Sequence, residues 1–170
     1  QARFGGGGVG DFGHMPPPSE ILADHHFKDL SLTIKALITG GAGFLGLELV
    51  KELANISQRV VVIDIFASPE LLTFFNAHNT SFFKRDISLP EALQNIDLGK
   101  EDIVHHLASK LIIPNKPRFN RCKHFAQTSV LGTKHILDWM RAANCRNLIF
   151  WSSDMVYGLP STTPISETVS

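Results

Sequence analysis

The sequence is poor in cysteine, poor in tyrosine, without an excess of either charge, and without a long apolar run. Its two cysteines, Cys122 and Cys145, cannot build a disulfide framework and have no metal-ligand spacing, which points to a reducing, cytoplasmic compartment and to two packed small side chains. Sixteen Lys and Arg balance sixteen Asp and Glu. That balance argues against nucleic acid or an anionic membrane as a partner held by bulk charge. No apolar run approaches the ~20 residues that cross a bilayer. Charged residues make up only 19% and hydrophobic residues 44%, so most of the chain has the means to fold. Collagen, coiled-coil and mucin architectures are excluded by composition. What is present, in 170 residues, suffices for one domain with a core and a short extension.

The extension is expected at residues 1–33. Gly5 to Gly8 form a glycine run and Pro16 to Pro18 a proline run, a composition that loses too much chain entropy to fold alone. Gly13-His14-Met15 resembles the remnant of a cleaved purification tag, and a natural flexible leader is the alternative. A secretory signal is not expected, because no apolar stretch precedes the prolines. His25-His26 reads as a solvated pair in an amphipathic lead-in.

From residue 34 onward strands and helices alternate. Ile34 to Thr39 is a buried strand ending in glycines. Leu45, Leu49, Leu53 and Ile56 follow at helical spacing. Arg59 to Asp64 is β-branched and reads as a second strand. Ser68-Pro69-Glu70 reads as an N-cap with proline at the first helical position, opening a helix to Ala77. Ser81 to Lys84 is a third strand, and Ser88-Leu89-Pro90-Glu91 has the form of a capping box before a short helix. Asp102 to Leu107 is a fourth strand. A loop with Pro114 and Pro117 leads to a long helix over 119–143, and Asn147 to Ser152 is a fifth strand. Apolar strands separated by helices predict an α/β, doubly wound parallel sheet of Rossmann-like type, order 3-2-1-4-5.

The segment Thr39-Gly40-Gly41-Ala42-Gly43-Phe44-Leu45-Gly46 joins the first strand to the first helix. Gly40 allows a sharp turn, Gly43 lets a pyrophosphate approach the backbone, and Gly46 allows close helix–sheet packing. Phe44 and Leu45 open a helix whose free N–H groups suit phosphate. Asp64, at the end of the second strand, is placed to accept both ribose hydroxyls of an adenosine. It would repel a 2′-phosphate, and no Arg or Lys follows it in Ile65 to Ser68, so NAD is favoured over NADP. Other chemistry is weaker. His105 and His106 are neighbours on a strand and point to opposite faces, so they cannot share a metal. His124 and His135 are too far apart on a helix, and no metal site is expected. Lys110 and the cluster Lys116, Arg118, Arg121 and Lys123 read as solvated.

These residues resemble the extended short-chain dehydrogenase/reductase superfamily, and within it the NAD-dependent epimerase/dehydratase family. The glycine segment 39–46 is similar to that family's nucleotide fingerprint. Arg85-Asp86-Ile87 resembles the step after strand three, where the resemblance puts Asp86 and Ile87 against the adenine. His106-Leu107-Ala108-Ser109 resembles the segment ending strand four, which implies that Leu107, Ala108 and Ser109 lie along the cofactor. Ser129-Val130-Leu131-Gly132-Thr133 resembles Asn-Val-x-Gly-Thr, with a serine of shorter reach in place of the asparagine. Ser152-Ser153-Asp154-Met155-Val156-Tyr157-Gly158 resembles Ser-Ser-x-x-Val-Tyr-Gly, which gives Ser153 the catalytic Ser/Thr position.

The family's Tyr-x-x-x-Lys pair has no counterpart here. The one tyrosine, Tyr157, belongs to the Val-Tyr-Gly motif and has Ser161 four places on. Pro164-Ile165-Ser166-Glu167 resembles the lead-in to that pair. The expectation is therefore a C-terminally truncated piece of a longer enzyme, inactive by itself, with an uncovered sheet edge that favours association. The activity implied is epimerisation or dehydration of a nucleotide-sugar by transient hydride transfer. The alternatives are a hydroxysteroid- or flavonol-type dehydrogenase and a non-catalytic dinucleotide sensor. A homodimer would follow family habit.

Overall fold

Lys35–Thr39 (β1) is buried along its whole length, the charged Lys35 included, as befits a strand at the centre of a sheet. A computed structural model describes residues 34–56, 59–110, 122–123, 125–158 and 165. The calls on residues 1–33, on Pro114, Pro117, Lys116, Arg118, Arg121 and His124, and on Ser161, Pro164 and 166–170 lie outside the described residues.

Four further strands follow: Arg59–Asp64 (β2), Thr80–Lys84 (β3), Ile103–His106 (β4) and Asn147–Phe150 (β5). They form one sheet of order β3-β2-β1-β4-β5, with every neighbouring pair parallel. The sheet is thus the doubly wound arrangement that the alternation implied. Leu37 pairs with Val61 and Val104, and Ile38 with Val62 and His105. The period of two sends these rows to opposite faces. On one face Leu37, Val61, Ile63 and Val104 pack with Ile87, Leu93, Ile136 and Met140. On the other Ile38, Val60 and Val62 pack with Val50 and Phe75. Each fully buried aliphatic side chain contributes about 1.5–3 kcal/mol relative to exposure.

The helices include Phe44–Asn55 (α1), Pro69–Ala77 (α2) and Thr133–Ala142 (α3). The apolar stripe of α1 is rotated from the expected one. Gly46 and Val50 are its buried residues, with Leu49 and Leu53 packed beside them, whereas Leu45 is 58% and Ile56 40% exposed. The docking of Gly46 against the preceding loop sets this phase. The α2 start is as expected: the Leu71 N–H donates to Ser68 Oγ at 3.3 Å, and Pro69 begins the helix.

Four expectations need correction. Ser88 does not cap a helix. Only a 3-10 turn, Pro90–Leu93, follows, with Leu89 at its uncapped start. Asp86 organises this segment instead: its Oδ1 accepts the Ser88 N–H at 2.9 Å and its carbonyl the Leu89 N–H at 3.0 Å. The helix expected over 119–143 is not one regular element: the chain is α-helical at Cys122, Lys123 and Phe125, π-helical over Ala126–Gly132 and α-helical again over Thr133–Ala142. A Cβ on Gly132 would come within 2.8 Å of Ile87 Cδ1, so this turn is pressed against the core. Strand ends are also shorter: Leu107 lies beyond β4, and Trp151 and Ser152 beyond β5. Lastly, Cys145 is buried but Cys122 is exposed.

Asp102 falls just before β4 and anchors the opposite end of the sheet. Its carboxylate accepts the Lys35 N–H at 2.9 Å and the Gly99 N–H at 2.7 Å, and Lys35 Nζ lies 3.3 Å away. The same Nζ lies 2.6 Å from Asp97. At the sheet edge, β5 leaves Ile149 and Phe150 exposed. Among the described residues no helix is long and apolar enough to cross a membrane, and no group of three or more His, Cys, Asp and Glu is placed to hold a metal.

Candidate functional site

The C-terminal ends of β1, β2, β4 and β5 meet at one cleft of about 800 Å³. In a doubly wound sheet this is where strand order reverses and helices diverge, leaving a crevice. Thr39 ends β1, and Gly40 turns the chain with φ +75°, a left-handed conformation that favours glycine. The Gly40 N–H donates to the Ile63 carbonyl at 2.9 Å, which ties the turn to β2. A Cβ on Gly40 would fall 2.8 Å from the Ala108 N, so the loop runs directly against the chain leaving β4. Gly43 has a different surrounding: a Cβ there would meet only the Gly40 carbonyl oxygen, at 3.2 Å. A Cβ on Gly46 would run into the Gly40 carbonyl and would lie 2.6 Å from Gly41 Cα. The close packing expected of Gly46 is therefore helix against loop rather than helix against sheet.

The start of α1 carries no side-chain cap and no acidic residue in its first turn. The first amides of a helix have no intrahelical acceptor and concentrate positive potential. Phe44, Leu45 and Gly46, the first three residues of α1, all line the cleft. Asp64 stands across from them at the end of β2. Its Oδ2 accepts the Ala42 N–H at 3.0 Å and its Oδ1 the Ile65 N–H at 2.7 Å. Two donors fix the carboxylate, and each oxygen keeps a lone pair for a hydroxyl.

Asp86 and Ile87 line the cleft after β3, with Ile87 buried and Asp86 half-buried. Leu107, Ala108 and Ser109 line it after β4. The Leu107 N–H donates to the Thr39 carbonyl at 3.1 Å and the Ala108 N–H to Thr39 Oγ1 at 3.3 Å. Ser153 lines the cleft beyond β5, is exposed, and its carbonyl accepts the Val156 N–H at 3.2 Å. Every residue selected from the sequence as a candidate thus borders one cavity. A second cavity, of about 400 Å³ by Met140, Cys145 and Leu148, includes none of them.

The cleft also has walls that the sequence reading did not select. Gly41 is one support: a Cβ there would press to 2.8 Å on Val62 Cγ1, and its signal was the glycine doublet itself. Phe125, Thr128, Phe150 and Trp151 line the cleft, as does Lys110, read from sequence as a solvated loop residue. Phe125 and Thr128 carried no local signal, since tertiary packing alone brings their segment to the strand ends. His105 and His106 do face opposite ways. His106 Nδ1 lies 2.6 Å from Thr39 Oγ1 and Nε2 2.9 Å from Thr133 Oγ1, whereas His105 Nδ1 is buried without a partner. Burial holds both imidazoles below their ordinary pKa.

The sheet order and the glycine-lined cleft define a Rossmann-like unit of the extended short-chain dehydrogenase/reductase class. The chain belongs to the NAD dependent epimerase/dehydratase family, whose model matches residues 36–170. It is 32% identical over 143 residues to UDP-glucose 4-epimerase 1 of Oryza sativa subsp. japonica, covering 77% of this chain and 39% of that protein. It is 34% identical over 140 residues to dTDP-D-glucose 4,6-dehydratase of Dictyostelium discoideum, covering 77% and 31%. The crystal structure of UDP-glucose 4-epimerase from Bifidobacterium longum in complex with NAD+ and UDP superposes with a TM-score of 0.65 at 26% identity, covering 80% of this chain and 42% of that one. The chain spans about two-fifths or less of the length of these relatives.

Proposed function

We propose that residues 34–170 form the NAD-binding part of an epimerase or dehydratase acting on a nucleotide-sugar in the cytoplasm, with residues 1–33 as a flexible leader or tag-derived segment. The observation that carries this reading is the shared cleft, in which an uncapped helix start faces a fixed carboxylate across a backbone stripped of side chains. The fit to a dinucleotide is good. At Gly43 the backbone carries no Cβ to stand in the way of a diphosphate. The α1 amides supply donors and Asp64 supplies acceptors for adenosine ribose hydroxyls. Ile87 gives an apolar surface for the adenine, and Asp86 fixes the turn that presents it. Leu107, Ala108 and Ser109 run along the ribose-phosphate path, and Ser153 is assigned to hydrogen-bond the reacting sugar oxygen.

When bound, NAD supplies the hydride-exchanging nicotinamide. The residues of this chain orient it. The family's relatives named for UDP-glucose and dTDP-glucose support a nucleotide-sugar as the substrate class. An epimerase returns its hydride and shows no net cofactor turnover, whereas a dehydrogenase of hydroxysteroid or flavonol type reduces NAD steadily. Reading the gene beyond Ser170 checks the enzymatic half: a Tyr-x-x-x-Lys shortly downstream is expected of an enzyme, and its absence would favour a dinucleotide sensor.

Calorimetric titration of the 170-residue chain tests the cofactor claim. NAD is expected to bind more tightly than NADP. Asp64→Ala is expected to lose about 10-fold or more in NAD affinity, since hydrogen bonds to a charged group are at stake. Tighter binding of NADP to the unsubstituted chain would overturn the reading of Asp64, and binding of neither would overturn the cofactor assignment.

A further inference from the structure

A chain of hydrogen bonds leads from the floor of the cleft to its side wall through His106. The Ala108 N–H donates to Thr39 Oγ1 at 3.3 Å. Thr39 Oγ1 lies 2.6 Å from His106 Nδ1, and His106 Nε2 lies 2.9 Å from Thr133 Oγ1. Thr133 Oγ1 donates to the Ser129 carbonyl at 2.8 Å. The two ends fix the direction of every proton between them. Thr133 has spent its one hydroxyl proton on Ser129, so its oxygen meets Nε2 as an acceptor, and Nε2 carries the hydrogen. Thr39 takes a proton from Ala108 on one lone pair and gives its own to Nδ1. The opposite tautomer would set Nε2 against a hydroxyl that must then turn away from Ser129. An imidazolium would leave the Thr39 hydroxyl proton with no acceptor in the chain. His106 is 2% exposed, so protonation is also disfavoured by burial.

The far end of this chain is where the helix is irregular. The Thr133 backbone N–H goes to the Val130 carbonyl, and the Thr133 hydroxyl takes the Ser129 carbonyl. An α-helix would have given that carbonyl to the Thr133 N–H. The hydroxyl thus holds an acceptor that the π-helical turn shifts off its usual partner, and His106 holds the hydroxyl. The same turn carries Thr128, and it follows directly on Phe125; both line the cleft. π-helical turns cost regular hydrogen bonding and persist where something stabilises them.

We infer that His106 is a positioning residue: a neutral imidazole protonated at Nε2 that pins the π-helical turn Ala126–Gly132 to the end of β1, and so sets the wall of the cleft opposite the glycine loop. It acts through Thr39 and Thr133 and touches no reacting atom. Its consequence for ligand binding rests on the dinucleotide reading above, whereas its protonation state does not.

Nitrogen-15 NMR of the imidazole in the unsubstituted chain at neutral pH, assigned with His106→Gln, tests the wiring. The expected spectrum has Nε2 protonated and Nδ1 bare. An Nδ1-protonated ring, a tautomeric average or an imidazolium overturns the inference. Thr133→Val keeps the shape and removes the hydroxyl. Amide exchange over 128–132 is expected to quicken about 10-fold and the NAD Kd to rise by a similar factor, as for one buried hydrogen-bonded link lost. Thr133→Ser restores the hydroxyl and is expected to bring both within about twofold of the original. Unchanged exchange in a folded Thr133→Val overturns the positioning role. Should Thr133→Val not fold, the tautomer of the unsubstituted chain still decides. Should that chain bind no NAD, the dinucleotide reading fails, while tautomer and exchange still judge His106.

Discussion

Two helices start at neighbouring strand ends and are built in opposite ways. At the start of α2, Ser68 Oγ accepts the Leu71 N–H, and Glu70 sits in the first turn with its carboxyl held below the ordinary range by a hydrogen bond from Ser68. The helix satisfies its own amides and dipole. At the start of α1 a glycine occupies the cap position and there is neither side-chain acceptor nor acid. A free helix terminus loses the roughly 0.5–2 kcal/mol that a cap supplies. The difference teaches that α1 leaves its first amides without a side-chain acceptor, which is what the dinucleotide reading proposed above requires. Asp64, which lines the same cleft, accepts the Ala42 and Ile65 amides and is not spent on the helix.

The comparison breaks most violently at Gly46. Gly46→Ala drives a methyl into the Gly40 carbonyl and Gly41 backbone. The expected result is a loss of about 1–3 kcal/mol in denaturant unfolding, as for overpacking, with NAD binding abolished. A thermal midpoint and NAD affinity equal to those of the original would contradict the packing account.

Gly43→Ser sharpens the contrast by giving α1 the cap that α2 has. The backbone at Gly43 is extended (φ −77°, ψ 176°), and an added Cβ meets the Gly40 oxygen at 3.2 Å, so the serine fits with a small shift. Stability is expected to hold or rise by up to about 1 kcal/mol, while NAD binding weakens about 10-fold or more. The two quantities move apart only if the bare amides serve a ligand. Ser68→Ala performs the reverse operation on α2. It should cost about 1 kcal/mol in urea unfolding and leave NAD affinity unchanged.

The smallest effect expected is that of pH. Neither helix start carries a group with an ordinary pKa near neutrality, whereas β4 carries two histidines whose burial lowers theirs from 6.5. The unfolded chain takes up these protons first, so stability is full above about pH 6.5 and falls as pH drops below it, until the native imidazoles also protonate. Urea midpoints between pH 7.5 and 5 measure this, and His105→Phe should flatten the curve in part.

Much of this contrast was legible in the sequence. Ser68-Pro69-Glu70 declared a capped helix, and the glycines at 40, 43 and 46 declared an uncapped one, because both signals are local chemistry. The strand order followed from alternation and handedness. The phase of α1 was not legible, since Leu45 and Ile56 look like core residues and are turned outward by where Gly46 docks. Ser88 misled for a similar reason: a capping pattern was present, but Asp86 takes the Ser88 N–H that a capping box would give to Glu91. The π-helical turn was hidden because it depends on Ile87 and His106, far away in sequence. Trp151, Phe125 and Thr128 joined the cleft wall by the same kind of distant packing.

The most direct measurement is an amide nitrogen–proton NMR titration of the chain with NAD. The account predicts saturable shifts at the N–H groups of Gly43, Phe44, Leu45 and Gly46, with those of Glu70, Leu71 and Leu72 unmoved. Silent amides at 43–46 in the presence of bound NAD, or shifts centred on α2, would contradict it.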